Sequence, residues 1–450
     1  MIDIKDVKDL YNSKKKTIDE ALGLIQSGDI IFSGMAASEP MELMKNLHRI
    51  AERGIKGCDV TSCLPASAYE YITNPAYVEA VSSSGWFFNG AQRAAMKNGA
   101  PNVSHVPQRL HTAVTRRMAA AREDKRRMVL CTTCSPMDEH GYLSLSLSVT
   151  YERILVDEGA VVIVEVNPNM PRTFGDSAIH ISEIDALVEV GYPVISLPEV
   201  PFTDNDALIA GFISERICDG STIQLGIGGI PNALAKGLMN KKHLGIHTEM
   251  LTDNMVDLVE CGAVDNSMKT LYRHKIVGTF AMGSQKLYSY INNNPSVVMK
   301  NGTWVNDPNV VGQNYKMQSI NTTLEVDLFG QCASESIGPV QFSGSGGQAD
   351  TAIGAQRSEG GHSFICLYST ADVKNKDGSK VTISKIVPML KEGSVVTLSR
   401  NDVNYIVTEF GIANLCGRSL KERAERMIAI AHPDFREELR SYVRKHPEIY

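Results

Sequence analysis

A glycine-rich turn that leads into a helical pattern is the first feature of this sequence suited to binding. Gly226-Ile-Gly-Gly-Ile-Pro231 follows the strand-like residues 222–225, and residues 232–239 continue with helical spacing. Glycines let backbone N–H groups approach a ligand closely, a helix N-terminus favours negative charge, and Pro231 suits a first helical position. The turn therefore predicts a site for a phosphate or a developing oxyanion. Its spacing is neither Walker-like nor GxGxxG, so a plain tight turn is the alternative.

Glu249 is the candidate for chemistry beside that turn. It directly follows a second strand-like segment, residues 244–248. Open α/β sheets bind ligands at the carboxyl ends of their parallel strands, and a carboxylate there can act as a general base or as a nucleophile. If the strand continues, His247 shares a face with Glu249 and Thr248 points away. A solvated or ion-paired structural role for Glu249 is the alternative.

Two further loops are rich in small residues. They are Gly330-Gln-Cys-Ala-Ser-Glu-Ser-Ile-Gly338, which follows the strand-like residues 323–328, and Ser343-Gly-Ser-Gly-Gly-Gln-Ala-Asp350. Clustered glycine and serine are typical of a backbone that lies close to a ligand, and equally of flexible surface loops.

The elements that must position these residues alternate along the chain. Short apolar runs at residues 29–33, 160–165 and 394–398 alternate with amphipathic stretches at residues 40–51 and 207–218. This alternation predicts an α/β fold with a largely parallel sheet.

The chain is expected to form two domains, because 450 residues exceed one ordinary hydrophobic core. Prolines at 193, 198 and 201 precede the polar residues 203–206, so we place the boundary near residue 205, between domains 1–205 and 206–450. Gly28 to Gly34 and Gly220 to Gly226 share a spacing of six positions before a proline and a helix. The two halves are either related repeats or similar by coincidence.

Composition excludes several classes of protein. The net charge of -6 and scattered basic residues give no stripe for nucleic acid. The first six residues lack the charge pattern of a secretory signal, and no run of about 18 uncharged apolar residues is present. Nine widely spread cysteines fit a reducing compartment, so we expect a cytoplasmic protein without a membrane span. Cys131 and Cys134 form a single CxxC, which predicts half-buried thiols more readily than metal or redox chemistry.

Several segments together resemble the acetyl-CoA hydrolase/transferase family, and within it the 4-hydroxybutyrate and butyrate CoA-transferase branch. The resemblance covers nearly the whole chain and includes the following segments: Asn167-Pro-Asn-Met-Pro-Arg172, Gly175-Asp-Ser177, His180-Ile-Ser-Glu-Ile-Asp185, Leu244-Gly-Ile-His-Thr-Glu-Met250, Gln331 with Ser334-Glu-Ser336, Gly346-Gly-Gln348 with Asp350, Thr397-Leu-Ser-Arg-Asn401, Val407-Thr-Glu-Phe-Gly411 and Ile430-Ala-His-Pro-Asp434.

The resemblance implies a fold and a mechanism. The fold is α/β, with two tandem related open α/β domains of the CoA-transferase (NagB/RpiA-like) type, the second domain carrying the catalytic glutamate. That glutamate corresponds to Glu249, which exchanges CoA between an acyl-CoA and a short-chain acid by ping-pong chemistry through a glutamyl-CoA thioester. The family positions near CoA correspond to these residues: Gly226, Ile227, Gly228, Gly229, Ile230, Leu324 on the strand before Gly330, and Gly347.

The same resemblance implies partners. Coenzyme A and acyl-CoA are substrates, and we expect no metal ion and no permanently bound cofactor. The partners are small carboxylic acids and further copies of the chain, as a dimer or tetramer, with no nucleic acid and no membrane. Relatives carry an aromatic residue and a cation where this chain has Thr351 and Ile353, so we expect uncharged short acyl groups to be preferred over dicarboxylates.

Three other functions are weighed against the transferase. An acyl-CoA hydrolase would use the same glutamate, with water as the acceptor. A regulatory protein would bind CoA or a sugar phosphate without turnover, which an intact Glu249 motif argues against. A nicotinamide dehydrogenase is disfavoured because no GxGxxG with an acidic ribose ligand is present.

Overall fold

The computed structural model describes residues 4–198, 200–375 and 377–450; residues 1–3, part of the start used to predict localisation, lie outside them. The α-helices are α1 (Ile4–Lys14), α2 (Ile18–Leu22), α3 (Met41–Asn46), α4 (Glu70–Thr73), α5 (Gly90–Lys97), α6 (Leu110–Glu123), α7 (Glu152–Asp157), α8 (Asp204–Ser214), α9 (Gly229–Leu238), α10 (Asp253–Glu260), α11 (Gln285–Ile291), α12 (Gly302–Val305), α13 (Pro308–Val311), α14 (Gln348–Arg357), α15 (Leu420–Ile430) and α16 (Pro433–Lys445). Short 3₁₀ helices span Ala36–Ser38, Leu47–Arg53, Pro75–Tyr77 and Ile181–Glu183.

The strands are short and distributed along the whole chain. They are β1 (Ile30–Ser33), β2 (Cys58–Cys63), β3 (Val81–Phe87), β4 (Val103–His105), β5 (Met128–Cys134), β6 (Tyr142–Ser144), β7 (Val161–Val166), β8 (Phe174–Gly175), β9 (Ala178–His180), β10 (Ala186–Glu189), β11 (Thr222–Gln224), β12 (Gly245–Ile246), β13 (Met250–Leu251), β14 (Ile276–Gly278), β15 (Phe280–Ala281), β16 (Val297–Met299), β17 (Met317–Thr322), β18 (Glu325–Asp327), β19 (Cys332–Ala333), β20 (Ser336–Ile337), β21 (Val340–Gln341), β22 (His362–Cys366), β23 (Thr370–Lys374), β24 (Lys380–Ser384), β25 (Ile386–Val387), β26 (Tyr405–Thr408) and β27 (Gly411–Asn414).

The chain forms two compact units. The first unit contains Met1–Pro198, Glu249–Val256 and Lys275–Val305, and the second contains Glu199–Thr248, Asp257–His274 and Asn306–Tyr450. The chain therefore passes from the second unit to the first between Thr248 and Glu249. The domain boundary that the sequence places near residue 205 stays a prediction.

The first unit is built on a fully parallel sheet in the order β10-β7-β5-β1-β2-β3-β4. Its inner strands are near-continuous apolar runs, such as Val-Val-Ile-Val-Glu-Val in β7, because helices cover both faces of such a sheet. Ile31, Leu43 and Val60 are fully buried in the core of this unit.

The second unit has a six-stranded sheet in the order β12-β11-β17-β22-β26-β27. All pairs are parallel except the hairpin of β26 and β27. Helix α8 begins at a capping box in which Thr203 accepts from the Asp206 N–H and Asp206 accepts from the Thr203 N–H. The α/β class with mainly parallel sheets is thus confirmed.

The predicted strands at residues 29–33 and 160–165 are confirmed as β1 and β7, whereas the strand predicted at residues 394–398 is wrong. The side chains of Val395 and Val396 are 39% and 43% exposed, and the Val395 N–H donates to Ser336 Oγ at 2.8 Å. Only Leu398 forms a bridge, with Cys332. Val395 and Val396 therefore lie on the surface, and the apolar composition of residues 394–398 predicted a strand wrongly.

The predicted helices also differ at their ends. Residues 40–51 form α3 followed by the 3₁₀ helix Leu47–Arg53, and residues 207–218 correspond to α8, which begins at Asp204 because its cap lies at Thr203. No helix in the described ranges is long and apolar enough to cross a membrane.

The residues that precede β1 and β11 have the same backbone geometry. Gly28 and Gly220 have left-handed φ values of 85° and 77°. Their N–H groups donate to the carbonyls of Lys56 and Lys242, each at 2.9 Å, before the next parallel strand. This shared geometry supports the expectation that the two halves are related.

Candidate active site

The glycine turn has the predicted strand, turn and helix, but its helix begins earlier. β11 ends at Gln224 and α9 begins at Gly229, so Pro231 occupies the third helical position and not the first as predicted. Proline is tolerated there because N–H groups of the first turn have no intrahelical acceptor. Gly228 precedes the helix with φ 111° and ψ −174°, a backbone that favours glycine.

The other two glycines of the turn differ in the space around them. At Gly229 a Cβ atom would lie 2.4 Å from Asp206 Oδ2, so no side chain fits. At Gly226 a Cβ atom would meet nothing within 4 Å, and the neighbouring Ile227 is 54% exposed. The open side of the turn is therefore at Gly226 and Ile227, whereas Ile230 is buried.

The Asp206 carboxylate changes the chemistry expected of this turn. It accepts hydrogen bonds from the Thr203 N–H at 2.8 Å and the Tyr368 hydroxyl at 2.7 Å, and it lies against Gly229 at the start of α9. A negative charge thus already occupies the positive end of the helix dipole. The turn suits a neutral polar ligand better than the phosphate that the sequence predicts.

Replacing Gly226 by valine should weaken CoA binding by about tenfold or more while leaving the fold intact. The new side chain meets no protein atom, so its effect falls on a ligand that approaches the backbone. Isothermal titration with CoA measures the change. Gly191→Val is the matched control, because a Cβ atom there also meets nothing within 4 Å. Unchanged affinity in a folded Gly226→Val protein would remove the turn from the CoA site.

The second small-residue loop leads to Gly347, the residue before α14. The Thr351 N–H and hydroxyl donate to the Gly347 carbonyl at 2.9 and 3.1 Å. Gln348 donates through Nε2 to the carbonyl of Thr322, at the carboxyl end of β17, at 2.6 Å. Gly347 is thereby held at the end of a parallel strand, as the sequence predicts for a ligand site.

A buried polar network that the sequence did not reveal joins the two glycine loops within the second unit. Gln224, at the end of β11, accepts through Oε1 from the Ser319 hydroxyl at 3.0 Å and from Asn321 Nδ2 at 3.3 Å. Asn321 Nδ2 also donates to the Thr351 hydroxyl at 3.2 Å, and Ser319 Oγ lies 2.9 Å from the same hydroxyl. Thr351 is thus buried in this network and connects it to the Gly347 carbonyl.

Leu324 lies outside the strand on which the sequence placed it. β17 ends at Thr322 and β18 begins at Glu325, and Leu324 lies between them with its N–H donating to the Ala333 carbonyl at 3.2 Å. Its side chain is half-buried. The strand predicted at residues 323–328 is therefore shorter than expected.

Glu249 directly follows the segment that contains β12, but it lies in a bend and not on an extended strand. Its carbonyl accepts from the N–H groups of both Thr279 and Phe280 at 2.9 Å, and β13 then pairs in parallel with β15. Because β12 ends at Ile246, the strand alternation expected for residues 247–249 does not apply. The Glu249 side chain is half-buried, whereas His247 is buried.

The end of β12 is fixed to the base of the glycine turn within the second unit. The Thr248 hydroxyl lies 3.5 Å from the carbonyl of Leu225, and the His247 N–H donates to the Ile223 carbonyl at 3.2 Å. Buried Lys269 donates to the Ile246 carbonyl at 2.7 Å, and burial lowers the pKa of this ammonium to about 7. The residues just before Glu249 and just before Gly226 are therefore neighbours.

In the first unit, Glu249 is close to the buried thiol of Cys63 at the end of β2. Burial raises the pKa of Cys63, and the negative charges of Glu249 and Glu152 raise it further. Glu152 is itself buried, which raises its pKa, and it accepts from the N–H groups of Met35 and Tyr151 at 3.1 and 3.0 Å. Glu249 and Glu152 therefore both act on the buried Cys63 thiol within the first unit.

Two further buried carboxyls lie in the first unit, and the sequence did not single them out. Glu39 accepts from the Ala66 N–H at 2.6 Å and the Tyr69 hydroxyl at 2.8 Å, and burial raises its pKa to about 7. Glu165 accepts from the Tyr192 hydroxyl and from the backbone, and burial raises its pKa to about 7 as well. The sequence did offer one signal for Glu165: it is a glutamate in an otherwise apolar, strand-like run.

The CxxC pair is fully buried on β5 and not half-buried as predicted. Residues three apart on a strand point to opposite faces, so Cys131 and Cys134 cannot share a ligand. In the part of the chain that the structure describes, no group of three or more His, Cys, Asp and Glu is arranged to hold a metal ion.

Comparison with known proteins identifies relatives along the whole chain. The N-terminal domain model of acetyl-CoA hydrolase/transferase matches residues 1–197, and the C-terminal domain model matches residues 283–443. Succinyl-CoA:cyclohexane-1-carboxylate CoA transferase of Geobacter metallireducens is 42% identical over 97% of this chain and 96% of its own length. 4-hydroxybutyrate coenzyme A transferase of Clostridium kluyveri is 38% identical over 97% of this chain and 99% of its own.

A solved structure matches over a similar extent. RipA from Yersinia pestis superimposes with a TM-score of 0.89 at 38% identity, and the match covers 98% of this chain and 99% of that protein. Relatives named acetyl-CoA hydrolase are more distant than the two transferases.

Proposed function

This chain belongs to the acetyl-CoA hydrolase/transferase family and is a CoA-transferase, and from that premise we propose that it exchanges CoA between short-chain acyl-CoAs and carboxylic acids through a thioester on Glu249. The observation that carries the proposal is the half-buried carboxylate of Glu249, placed in a bend three residues after the end of β12. A carboxylate is a weak nucleophile toward thioesters in water, and the partial burial of Glu249 removes part of its hydration, which makes it a stronger one.

The proposed reaction has two half-reactions. An oxygen of the Glu249 carboxylate attacks the thioester carbonyl, which forms an acyl-glutamyl anhydride and releases CoA thiolate. The thiolate then attacks the glutamyl carbonyl, which forms the glutamyl-CoA thioester and releases the first acid. A second acid reverses both steps, so no electrons are exchanged and ping-pong kinetics result.

We assign Gly347 the stabilisation of the tetrahedral oxyanions through backbone N–H groups. Support comes from its position before α14 and from the network of Gln224, Ser319 and Thr351, which limits movement of this loop. A fixed donor of this kind is commonly worth about 3 to 4 kcal/mol in the transition state.

Gly226 to Ile230 and Leu324 are assigned to CoA. The carboxylate of Asp206 beside Gly229 favours the neutral pantetheine arm at this turn over a phosphate. The exposed side chain of Ile227 offers apolar contact to the methyl groups of pantetheine. Binding energy from this distant part of the substrate is then available to orient the reacting groups.

The compartment and assembly remain part of the proposal. We assign the enzyme to the cytoplasm, as a homo-oligomer without a permanently bound cofactor. We propose acetate, butyrate and 4-hydroxybutyrate as its acids, since all three are named in the relatives 4-hydroxybutyrate coenzyme A transferase and butyryl-CoA:acetate CoA-transferase.

A donor and acceptor screen tests the function. Acetyl-CoA is incubated with a panel of short acids, and mass spectrometry follows the new acyl-CoA. We expect exchange, with hydrolysis a minor path. Free CoA formed at the same rate with and without acceptor would assign the chain as a hydrolase, and absence of both products would favour a binding protein.

A further inference from the structure

The parallel pair of β2 and β3 in the first unit is irregular at Trp86. Along the parallel pair of β2 and β3, Ser62 is opposite Gly85 and Cys63 is opposite Phe87, so Trp86 has no partner in the ladder. Bulges of this kind redirect a side chain and are frequent near active sites.

The indole N–H of Trp86 is buried without an acceptor among the described residues. The side chain is 2% exposed, and its ring packs against Tyr151 with centroids 5.2 Å apart and against Phe32 at 6.3 Å. Leaving a buried donor unsatisfied costs about 1 to 3 kcal/mol. Such a group needs an explanation, and a ligand acceptor is one.

Contacts within the same unit connect Trp86 with the nucleophile. Tyr151, which packs on Trp86, directly follows Thr150 in the chain. The hydroxyl of Thr150 lies 3.4 Å from that of Thr279, and the Thr279 N–H donates to the Glu249 carbonyl at 2.9 Å. The backbone of the first unit is also strained, with left-handed φ values of 56° at Leu64 and 53° at Ala36. Strain of this kind is retained where the surroundings enforce a geometry.

We infer that Trp86 determines acyl specificity by donating its indole hydrogen bond to an oxygen on the acyl chain of the substrate. The inference rests on the proposed function, because it requires the acyl group to be attached at Glu249. The substrate class is hydroxy acids, whose hydroxyl accepts from the indole, over hydrocarbon acids of the same length.

The charges around this position favour a hydroxyl over a second carboxylate. Glu152 is fully buried and, in the described part of the chain, forms no ion pair. It accepts hydrogen bonds from the backbone N–H groups of Met35 and Tyr151 and from the Ser148 side chain. A terminal carboxylate would enter a region that already holds the acid Glu152. Succinate is therefore expected to be a poorer acceptor than 4-hydroxybutyrate.

Specificity constants with matched acids test the inference. In the native protein, 4-hydroxybutyrate should exceed butyrate and succinate as acceptor. Trp86→Phe keeps an aromatic ring and removes the donor, so the ratio of 4-hydroxybutyrate to butyrate should fall roughly tenfold. Trp304→Phe, the same change at the second of the two tryptophans, should leave the ratio unchanged. Equal losses for both acids in Trp86→Phe, or a native preference for butyrate, would overturn the inference.

A second measurement follows ligand binding in the native protein and needs variants only to assign resonances. The native protein labelled with ¹⁵N-tryptophan has two indole resonances, which the single-tryptophan variants assign. Addition of 4-hydroxybutyryl-CoA should shift the Trp86 indole proton downfield, and butyryl-CoA should not. Identical spectra with both ligands would overturn the inference. Trapping of the thioester on Glu249 is scored separately, so an enzyme that forms it without the Trp86 effect keeps the proposed function.

Discussion

Replacing Glu249 by glutamine should lower CoA transfer by roughly 10⁴-fold or more, because the neutral amide has no nucleophilic oxygen anion. Glu249→Asp should also be severely impaired, since shortening the side chain displaces the carboxylate by about 1 Å and a displacement of this size already costs on the order of a hundredfold. Initial rates with acetyl-CoA and butyrate measure both effects. Retention of parental activity by Glu249→Gln would contradict the nucleophile assignment.

The same residue should carry the covalent intermediate. Borohydride reduces thioesters but not carboxylates, so an acyl-CoA followed by borohydride should convert Glu249 to an alcohol and inactivate the enzyme irreversibly. Peptide mapping identifies the modified residue. Glu335 and Glu409 are internal controls, because both lie in family-like segments of the second unit. Modification of either one in place of Glu249 would move the catalytic assignment.

The unfolding free energy of the first unit should fall as the pH rises from about 4.5 to 7. Burial raises the pKa of Glu39 and of Glu165 from 4.5 to about 7, so the folded state binds more protons than the unfolded chain in this interval. Their contribution is fully present below pH 4.5 and is lost as the pH passes 7. A shift of this size is worth roughly 3 kcal/mol for one buried carboxyl.

Urea unfolding at several pH values measures this dependence. Both tryptophans, Trp86 and Trp304, lie in the first unit, so their fluorescence reports on it. Glu165→Gln should flatten the curve between pH 5 and 8. Glu79→Gln is the control, because Lys56 lowers the pKa of that exposed carboxyl and moves its titration below the interval. Parallel curves for the native protein and Glu165→Gln would show that this carboxyl is not protonated on folding.

The sequence predicted local features better than distant ones. The order of strand, glycine turn and helix around Gly226 follows from short-range spacing, and the structure confirms it apart from the helix start. The network of Gln224, Ser319 and Thr351 joins elements far apart in the chain, so no local pattern announces it. Polar residues at the ends of neighbouring strands become visible as a set only when the strand order is known.

The sequence also did not predict correctly which side chains are buried. Val395 and Val396 have strand-like composition but lie on the surface, whereas Glu39 and Glu165 are charged residue types that are buried. Hydrophobicity patterns assume that apolar residues face inward and acids outward. Glu249 was singled out on a whole motif and not on burial, and its role as nucleophile stays a prediction.

The buried thiol of Cys63 has a consequence for the fidelity of turnover. On the proposed mechanism, an activated acyl group forms close to this thiol in every cycle, and a thiolate there would capture it as a stable S-acyl cysteine. Reactivity resides in the thiolate, and burial together with the charges of Glu249 and Glu152 raises the pKa of Cys63. On this mechanism the Cys63 thiol stays protonated and is not acylated, whereas the CoA thiolate is the sulfur that reacts.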